Sequence, residues 1–164
     1  ANVNKATNDG TTPLFIAAQM GSLAMVQCLI KELGADVNQG KHNGGRPLYI
    51  AAEKGYLDVV RCLVKEHGVD VNQAKQDGAT PLMVASSNKD ADLVTWLVKE
   101  GADTQVSYEG QATAADISKF SGASEEQTAY LEAKIHCSNP GCAGAGLQKC
   151  QGCKQARYLA LRHI

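Results

Sequence analysis

The sequence predicts an all-α solenoid of stacked helix–turn–helix units joined by short β-hairpin loops, followed by a small Cys-rich segment. A segment recurs at 34-residue steps, beginning at Asp9, Asn43 and Asp77, and a weaker copy follows in which Thr113 stands opposite Thr80. Aromatic residues make up only 5% of the chain, so Ala, Leu, Val and Ile must fill the core, which suits packed helices. One helix pair cannot bury its apolar face alone, whereas stacked copies can.

Local signals delimit the two helices of each unit. Thr12-Pro13 and Thr80-Pro81 place an N-cap hydroxyl before a proline at the first helical position. A short Ala-rich helix is predicted after each pair, and a second helix follows with one apolar face at helical spacing. That face contains Val26, Leu29, Ile30, Val60, Leu63 and Val64. The glycines predicted to form the turns or to end the helices are Gly10, Gly21, Gly34, Gly55, Gly68, Gly78 and Gly101.

The repeated pattern TPL…AA…G…VV…L…GADVN resembles the ankyrin repeat over residues 1–135. We expect about three full repeats and a capping repeat, and because the opening residues match the end of a unit, we expect the chain to begin within a repeat. The resemblance implies that hairpin tips and first-helix ends line one concave surface that binds a protein partner. By position these residues are Asn8, Asp9, Thr11, Gln19, Met20, His42, Asn43, Glu53, Lys54, Gln76, Asp77, Ser87 and Asn88.

Several residues depart from the family pattern. Phe15, Tyr49 and Met83 replace the usual histidine after TPL. Arg46 replaces the capping threonine, so sequence alone predicts that Arg46→Thr stabilises the protein by about 0.5–1 kcal/mol. Lys89 replaces a helix-ending glycine, and the third repeat is therefore expected to be the least regular.

The fourth unit is predicted to be a C-terminal cap. It is polar where the others are apolar, with Gln127 opposite Val26. Ser124 and Gln127 have the spacing of a capping box.

Cys28 and Cys62 occupy equivalent positions in successive second helices. Both are predicted to be small buried core residues. Equivalent atoms in packed helices lie about 8–10 Å apart, beyond the limit of about 7 Å between Cα atoms for a disulfide, so no bridge is expected.

The remaining cysteines, in residues 136–164, predict metal binding. Cys137 and Cys142 form one pair, Cys150 and Cys153 form another, and each pair flanks a tight turn that can direct two thiolates at one zinc ion. Three arrangements remain open: one four-cysteine zinc site, two incomplete pairs, or ligands shared with a neighbouring chain.

The pattern C-x4-C-x7-C-x2-C-K-Q-A-R-Y resembles the MYND-type zinc finger. The resemblance implies that Cys137 and Cys142 are half of one zinc site, that Cys150 and Cys153 are half of a second, and that the finger takes short proline-rich peptides. Leu159 stands where the next ligand belongs, and we expect neither family site to be complete. One weakly held structural zinc, or an empty site, is expected.

These features predict a protein–protein interaction adaptor rather than an enzyme, since no nucleophile, base and orienting group are set together. The alternative is a regulatory part of a larger enzyme, such as a methyltransferase, whose catalytic domain lies outside this sequence. Residues 137–164 carry four basic residues and no acid, while the rest of the chain carries twelve basic and seventeen acidic residues. The acidic excess of this larger part argues against nucleic-acid binding, which relies on basic residues that contact phosphates. No apolar run reaches membrane-spanning length, and the first ten residues are polar, so no export signal is expected. No small-molecule substrate is implied. An intracellular location, cytoplasmic or nuclear, is expected.

Overall fold

The computed structural model describes residues 2–135, which form four successive helix pairs. This confirms the predicted all-α solenoid. The elements are α1 (Pro13–Gln19), α2 (Leu23–Lys31), α3 (Pro47–Glu53), α4 (Leu57–Arg61) with a π-helical continuation (Cys62–Glu66), α5 (Pro81–Ser87), α6 (Ala91–Lys99), β1 (Ser107–Tyr108), β2 (Ala112–Thr113), α7 (Ala114–Ser121) and α8 (Glu125–Ile135).

A continuous core runs along the stack. The first helices α1, α3, α5 and α7 pack against one another in that order, and each also packs on the second helix of its own unit. Equivalent residues of successive units are buried at the same place, as Val26, Val60 and Val94 are in the second helices. Burying one such aliphatic side chain contributes about 1.5–3 kcal/mol, and the repeat supplies this contribution once per unit.

The predicted helix starts are confirmed at the two Thr-Pro pairs. The Thr12 hydroxyl accepts a hydrogen bond from the Phe15 amide at 3.1 Å, and the Thr80 hydroxyl accepts one from the Met83 amide at 3.3 Å. Arg46, before α3, makes no such cap. Helix α3 therefore begins with its first-turn amides uncapped by a side chain.

The predicted turn and helix-end glycines all have positive φ. The close approach of neighbouring turns requires glycine at Gly10, where a Cβ atom would lie 2.9 Å from the Cα of Lys41. Lys89 takes the same left-handed conformation, with φ of 63°, although it carries a side chain. Such a conformation is unfavourable for residues other than glycine.

The expectation that the third repeat is the least regular is wrong. Both of its helices are regular, and Lys89 adopts the glycine-like conformation that ends the first of them. The irregular helix lies in the second repeat, where α4 continues into the π-helical turn Cys62–Glu66.

The fourth repeat begins with the antiparallel hairpin β1–β2, in which Ser107 pairs with Thr113 and Tyr108 with Ala112. Thr113 and Asp116 form a capping box at the start of α7, where the Thr113 hydroxyl accepts from the Asp116 amide and the Asp116 carboxylate accepts from the Thr113 amide.

The capping box predicted at Ser124 and Gln127 is only half formed. The Gln127 amide nitrogen donates to the Ser124 hydroxyl at 3.2 Å, but the Gln127 side chain reaches inward, 3.5 Å from the carbonyl oxygen of Ser86 and 3.3 Å from the hydroxyl of Ser118. Because Gln127 is only 4% exposed, its amide has to find partners inside the protein.

Candidate functional site

The tips of successive turns are joined by hydrogen bonds into a row that we call the turn ladder (Asp9, His42, Asn43 and Gln76). The His42 amide donates to the carbonyl oxygen of Asp9 at 3.0 Å, and the Gln76 amide donates to that of Asn43 at 3.2 Å. The Gln76 side chain adds a bond to the carbonyl oxygen of His42 at 2.6 Å. The turns are therefore held in register by their main chains.

The acidic side chains of the turns are occupied by contacts within the protein. The Asp9 carboxylate accepts from the Thr11 amide and hydroxyl and pairs with Lys41 at 2.8 Å. The Lys41 ammonium, followed by the two threonine hydroxyls, holds the pKa of the Asp9 carboxyl well below its usual range. The Asp77 carboxylate accepts from the Ala79 amide and pairs with Lys75, and these contacts likewise lower its pKa. These carboxylates maintain the turns.

The same lysines connect the turns to the first helices. The Lys41 ammonium lies 5.5 Å from the centroid of the Phe15 ring, and that of Lys75 lies 5.2 Å from the centroid of the Tyr49 ring. A cation over an aromatic face is attracted to it by about 0.5–1 kcal/mol at exposed sites. Phe15 and Tyr49, at the position of the family histidine, thus support the turns through cation–π contacts.

An open pocket between two turns is lined by Gly40, Lys41, Gly44, Arg46, Ala74, Lys75 and Gln76. Its three basic residues already have partners, because Lys41 and Lys75 pair with aspartates and Arg46 donates to main-chain carbonyls. The charges of Lys41 and Lys75 are therefore compensated within the protein, and the guanidinium of Arg46 is engaged by hydrogen bonds.

A second row of side chains stands at the C-terminal ends of the first helices. This helix-end row comprises Gln19, Met20, Glu53, Lys54, Ser87, Asn88 and Phe120. The Asn88 side chain donates to the carbonyl oxygen of Glu53, and the Ser121 hydroxyl donates to that of Ser86 at 3.3 Å. The ends of α3, α5 and α7 are thereby linked, and the row continues into the fourth repeat.

The residues predicted to bind a partner lie in these two rows or beside them. Thr11 is half-buried, and the other twelve are exposed: Asn8, Asp9, Gln19, Met20, His42, Asn43, Glu53, Lys54, Gln76, Asp77, Ser87 and Asn88. Their role in binding stays a prediction.

Phe120 was missed from the sequence although it is 88% exposed. It occupies the position of Gln19, Glu53 and Ser87 in the fourth repeat, since the 33-residue step from Thr80 to Thr113 also leads from Ser87 to Phe120. Applying that step to the candidate residues would have found it. The polar composition of the fourth unit by itself predicts only a cap.

The two described cysteines differ in burial. Cys62 is buried as predicted, whereas the prediction for Cys28 is wrong, because its side chain is half-buried with the sulfur 3.6 Å from the Glu32 carboxylate. Both thiols are free, as expected. Burial raises the pKa of the Cys62 thiol.

Within residues 2–135, Cys62, Glu66 and His67 form a group that could hold a metal ion. The cysteines predicted to bind zinc, Cys137, Cys142, Cys150 and Cys153, lie outside the described residues.

Comparison with known families gives two matches. A model of three ankyrin repeats matches residues 33–108, and a model of a single ankyrin repeat matches residues 9–41. Together they span residues 9–108, more than half of the chain, and neither extends into residues 136–164. No curated protein matches the sequence. No helix in the described part of the chain is long and apolar enough to cross a membrane.

Proposed function

Because this chain belongs to the ankyrin repeat family, whose members generally mediate protein–protein interactions, we propose that it binds a protein partner along the helix-end row. We further propose that residues 136–164 bind zinc and hold a second, proline-rich partner, so that the protein is an adaptor. The two parts of this proposal rest on different residues and are tested separately.

The observation that carries the first part is the contrast between the two rows. In the turn ladder and its flanking residues, Asp9, Gln76 and Asp77 use their side chains to maintain the protein's own turns. In the helix-end row, the side chains of Glu53 and Lys54 are exposed and make no hydrogen bond or ion pair within residues 2–135. Side chains without internal partners can bind another protein without breaking contacts that stabilise the fold.

The helix-end row offers apolar contacts at both ends and charge between them. Met20 is 71% exposed at one end and Phe120 is 88% exposed at the other, with Glu53 and Lys54 between them. Large apolar and aromatic residues contribute most to protein interfaces, and burying one such side chain contributes about 1.5–3 kcal/mol. The partner we propose has apolar side chains at two places and polar ones between them.

The length of the row limits the size of that partner segment. Packed helices lie about 8–10 Å apart, so four adjacent first helices span about 24–30 Å. An extended chain covers about 3.3–3.6 Å per residue, so a segment of about eight residues reaches from Met20 to Phe120.

Affinity capture with matched variants tests this face. We expect the double variant Glu53→Ala with Phe120→Ala to lose a partner that the parent retains. The control is Met25→Ala, because Met25 is an exposed apolar residue on α2, away from the row. Both variants should keep the parent's melting temperature. Equal retention of every partner by the double variant and the parent would contradict the proposal.

The zinc part rests on the two closely spaced cysteine pairs of residues 136–164. Closed structural zinc sites use four ligands, and Cys137, Cys142, Cys150 and Cys153 supply four thiolates. We propose one weakly held zinc at these four residues, lost when Cys137 and Cys150 are replaced by serine. Metal analysis of the purified chain tests this, and two tightly bound zinc ions at these cysteines, or none, would contradict it.

A further inference from the structure

Three metal-binding side chains converge at the irregular turn of the second repeat. The sulfur of Cys62, a carboxylate oxygen of Glu66 and a ring nitrogen of His67 all lie within 4.8 Å of one another. In an α-helix, residue i+5 is rotated about 140° away from residue i, so a histidine at that spacing points elsewhere. The π-helical turn Cys62–Glu66 widens the helix and allows both following side chains to approach Cys62.

The other repeats lack this arrangement. At the equivalent positions the first repeat has Cys28, Glu32 and Leu33, and the third has Trp96, Glu100 and Gly101. In those repeats α2 ends at Lys31 and α6 ends at Lys99, so the residues equivalent to Glu66 and His67 lie beyond the helix ends. The irregular helix and the full set of three ligand types thus occur together in the second repeat, and the first repeat provides an internal control with two of the three.

The surroundings of the group favour a bound ion. Cys62 is 2% exposed, and the Nε2 atom of His67 is buried without a hydrogen-bond partner within the described residues. A buried polar atom left without a partner is unfavourable. A thiolate, an imidazole and a carboxylate are the ligand types that zinc takes from proteins, and an open fourth position is filled by water.

We propose that Cys62, Glu66 and His67 bind one zinc-class divalent cation, with water as the fourth ligand. Metal–ligand bonds of about 2.0–2.3 Å place tetrahedral ligand atoms about 3.3–3.8 Å apart, so ligand atoms within 4.8 Å of one another need to approach by at most about 1.5 Å. Glu66 is exposed and His67 is half-buried, so side-chain rotation can supply that movement. The thiol of Cys62 loses its proton to solvent as the sulfur–metal bond forms.

Lys31 competes with the cation for Glu66. Its ammonium lies 2.8 Å from the Glu66 carboxylate, and its side chain is 53% exposed, so it can turn into solvent when the ion binds. Removing this ammonium frees the carboxylate and removes a positive charge beside the site. The affinity for the metal should therefore rise when Lys31 is made neutral.

Cobalt titration of the full 164-residue chain tests the site. The four cysteines of residues 136–164 are replaced by serine, which leaves Cys28 and Cys62 as the remaining thiols of the six. Co²⁺ bound to a thiolate gives a charge-transfer absorption band, and zinc displaces it. We expect one Co²⁺ per chain with this band, and its full displacement by one equivalent of Zn²⁺.

Variants in this background assign the ligands. Cys62→Ser should abolish the band, whereas Cys28→Ser, at the equivalent position of the first repeat, should leave it unchanged. His67→Leu, which reproduces Leu33 of the first repeat, should weaken binding about tenfold or more. Lys31→Gln should strengthen it about two- to fivefold.

Because Cys62 is buried, circular dichroism must show that Cys62→Ser is folded. If Cys62→Ser is unfolded, the affinities of His67→Leu and Lys31→Gln for Co²⁺ test the site instead, since both substitutions change less buried positions. No band in the parent, a band that persists in folded Cys62→Ser, or unchanged affinity in His67→Leu would overturn the proposal. The protein-binding proposal does not depend on this result, because the helix-end row contains none of these residues.

Discussion

The guanidinium of Arg46 donates a hydrogen bond to the carbonyl oxygen of Ala74, 28 residues further along the chain, at 3.2 Å. Its Nε atom donates to the carbonyl oxygen of Asn38, also at 3.2 Å. Arg46 therefore links the loop segments that follow the second helices of two repeats, while leaving the start of α3 without a side-chain cap. Arg46 thus makes two contacts to loop carbonyls in place of a local cap on its own helix.

These contacts change the stability expected of Arg46 variants. Arg46→Ala removes both bonds and should lower the free energy of unfolding by about 1–2 kcal/mol. Arg46→Thr loses the same bonds but gains a cap of about 0.5–1 kcal/mol, so it should be more stable than Arg46→Ala and no more stable than the parent. Urea denaturation followed by circular dichroism measures both. Arg61→Ala, at an exposed arginine of α4, is the control and should change little.

A clear stabilisation by Arg46→Thr would show that the two loop contacts contribute nothing. The stabilisation of about 0.5–1 kcal/mol that the sequence alone predicts would then hold.

Lys89→Gly should stabilise the protein by about 1 kcal/mol, because Lys89 has φ of 63° and glycine adopts this conformation without steric cost. Gly21 and Gly55 hold the equivalent position in the first two repeats, with φ of 68° and 75°. Thermal unfolding measures the change. Lys54→Gly is the matched control, since Lys54 has φ of −90° and should gain nothing. A gain of the same size in the control would point to a general effect of removing lysine.

The capping box of α7 should make stability depend on acidic pH. Hydrogen bonds from the hydroxyl and amide of Thr113 lower the pKa of Asp116, so its carboxylate is more stable in the folded state. This stabilisation is complete above the ordinary aspartate pKa of about 3.9 and is lost as pH falls through the lower folded value.

Comparing the parent with Asp116→Ala at several pH values tests this. The variant should be less stable by about 1 kcal/mol at pH 7, and the difference should shrink at pH values below about 3.9. A difference that stays constant across this range would show that the charge of Asp116 is unimportant.

Gln127→Val should leave the protein as stable or stabilise it by up to about 1 kcal/mol. Val26, Val60 and Val94 are buried at the equivalent positions, so valine suits this packing. The acceptors that Gln127 uses keep other partners, since the Ser121 hydroxyl also donates to the Ser86 carbonyl and Ser118 also bonds Thr128. The loss of stability on removing a hydrogen bond is largest when a buried polar group is left without a partner. Gln127→Val leaves neither the Ser86 carbonyl nor the Ser118 hydroxyl without one. Chemical denaturation measures the change, and a loss above about 2 kcal/mol would contradict this account.

The sequence by itself determined the repeat, the helix starts at Thr12 and Thr80, and the helix-end glycines. These features depend on groups within four residues of one another, such as a hydroxyl and an amide three positions apart, so a short stretch of sequence contains all the information. The resemblance to ankyrin repeats was likewise readable from the pattern and is confirmed by the family matches. The zinc ligands of residues 136–164 stay a prediction.

Only the tertiary structure decided which side chains make contacts within the protein and which are left exposed to bind a partner or an ion. Arg46 meets Ala74 28 residues away and Gln127 lies beside Ser86 41 residues away, so their partners depend on how the repeats stack. The same stacking leaves Phe120 exposed, and the helix irregularity at Cys62 brings His67 beside it. A local sequence pattern cannot specify such contacts. They form only when the repeats pack together or when a helix takes its folded backbone geometry.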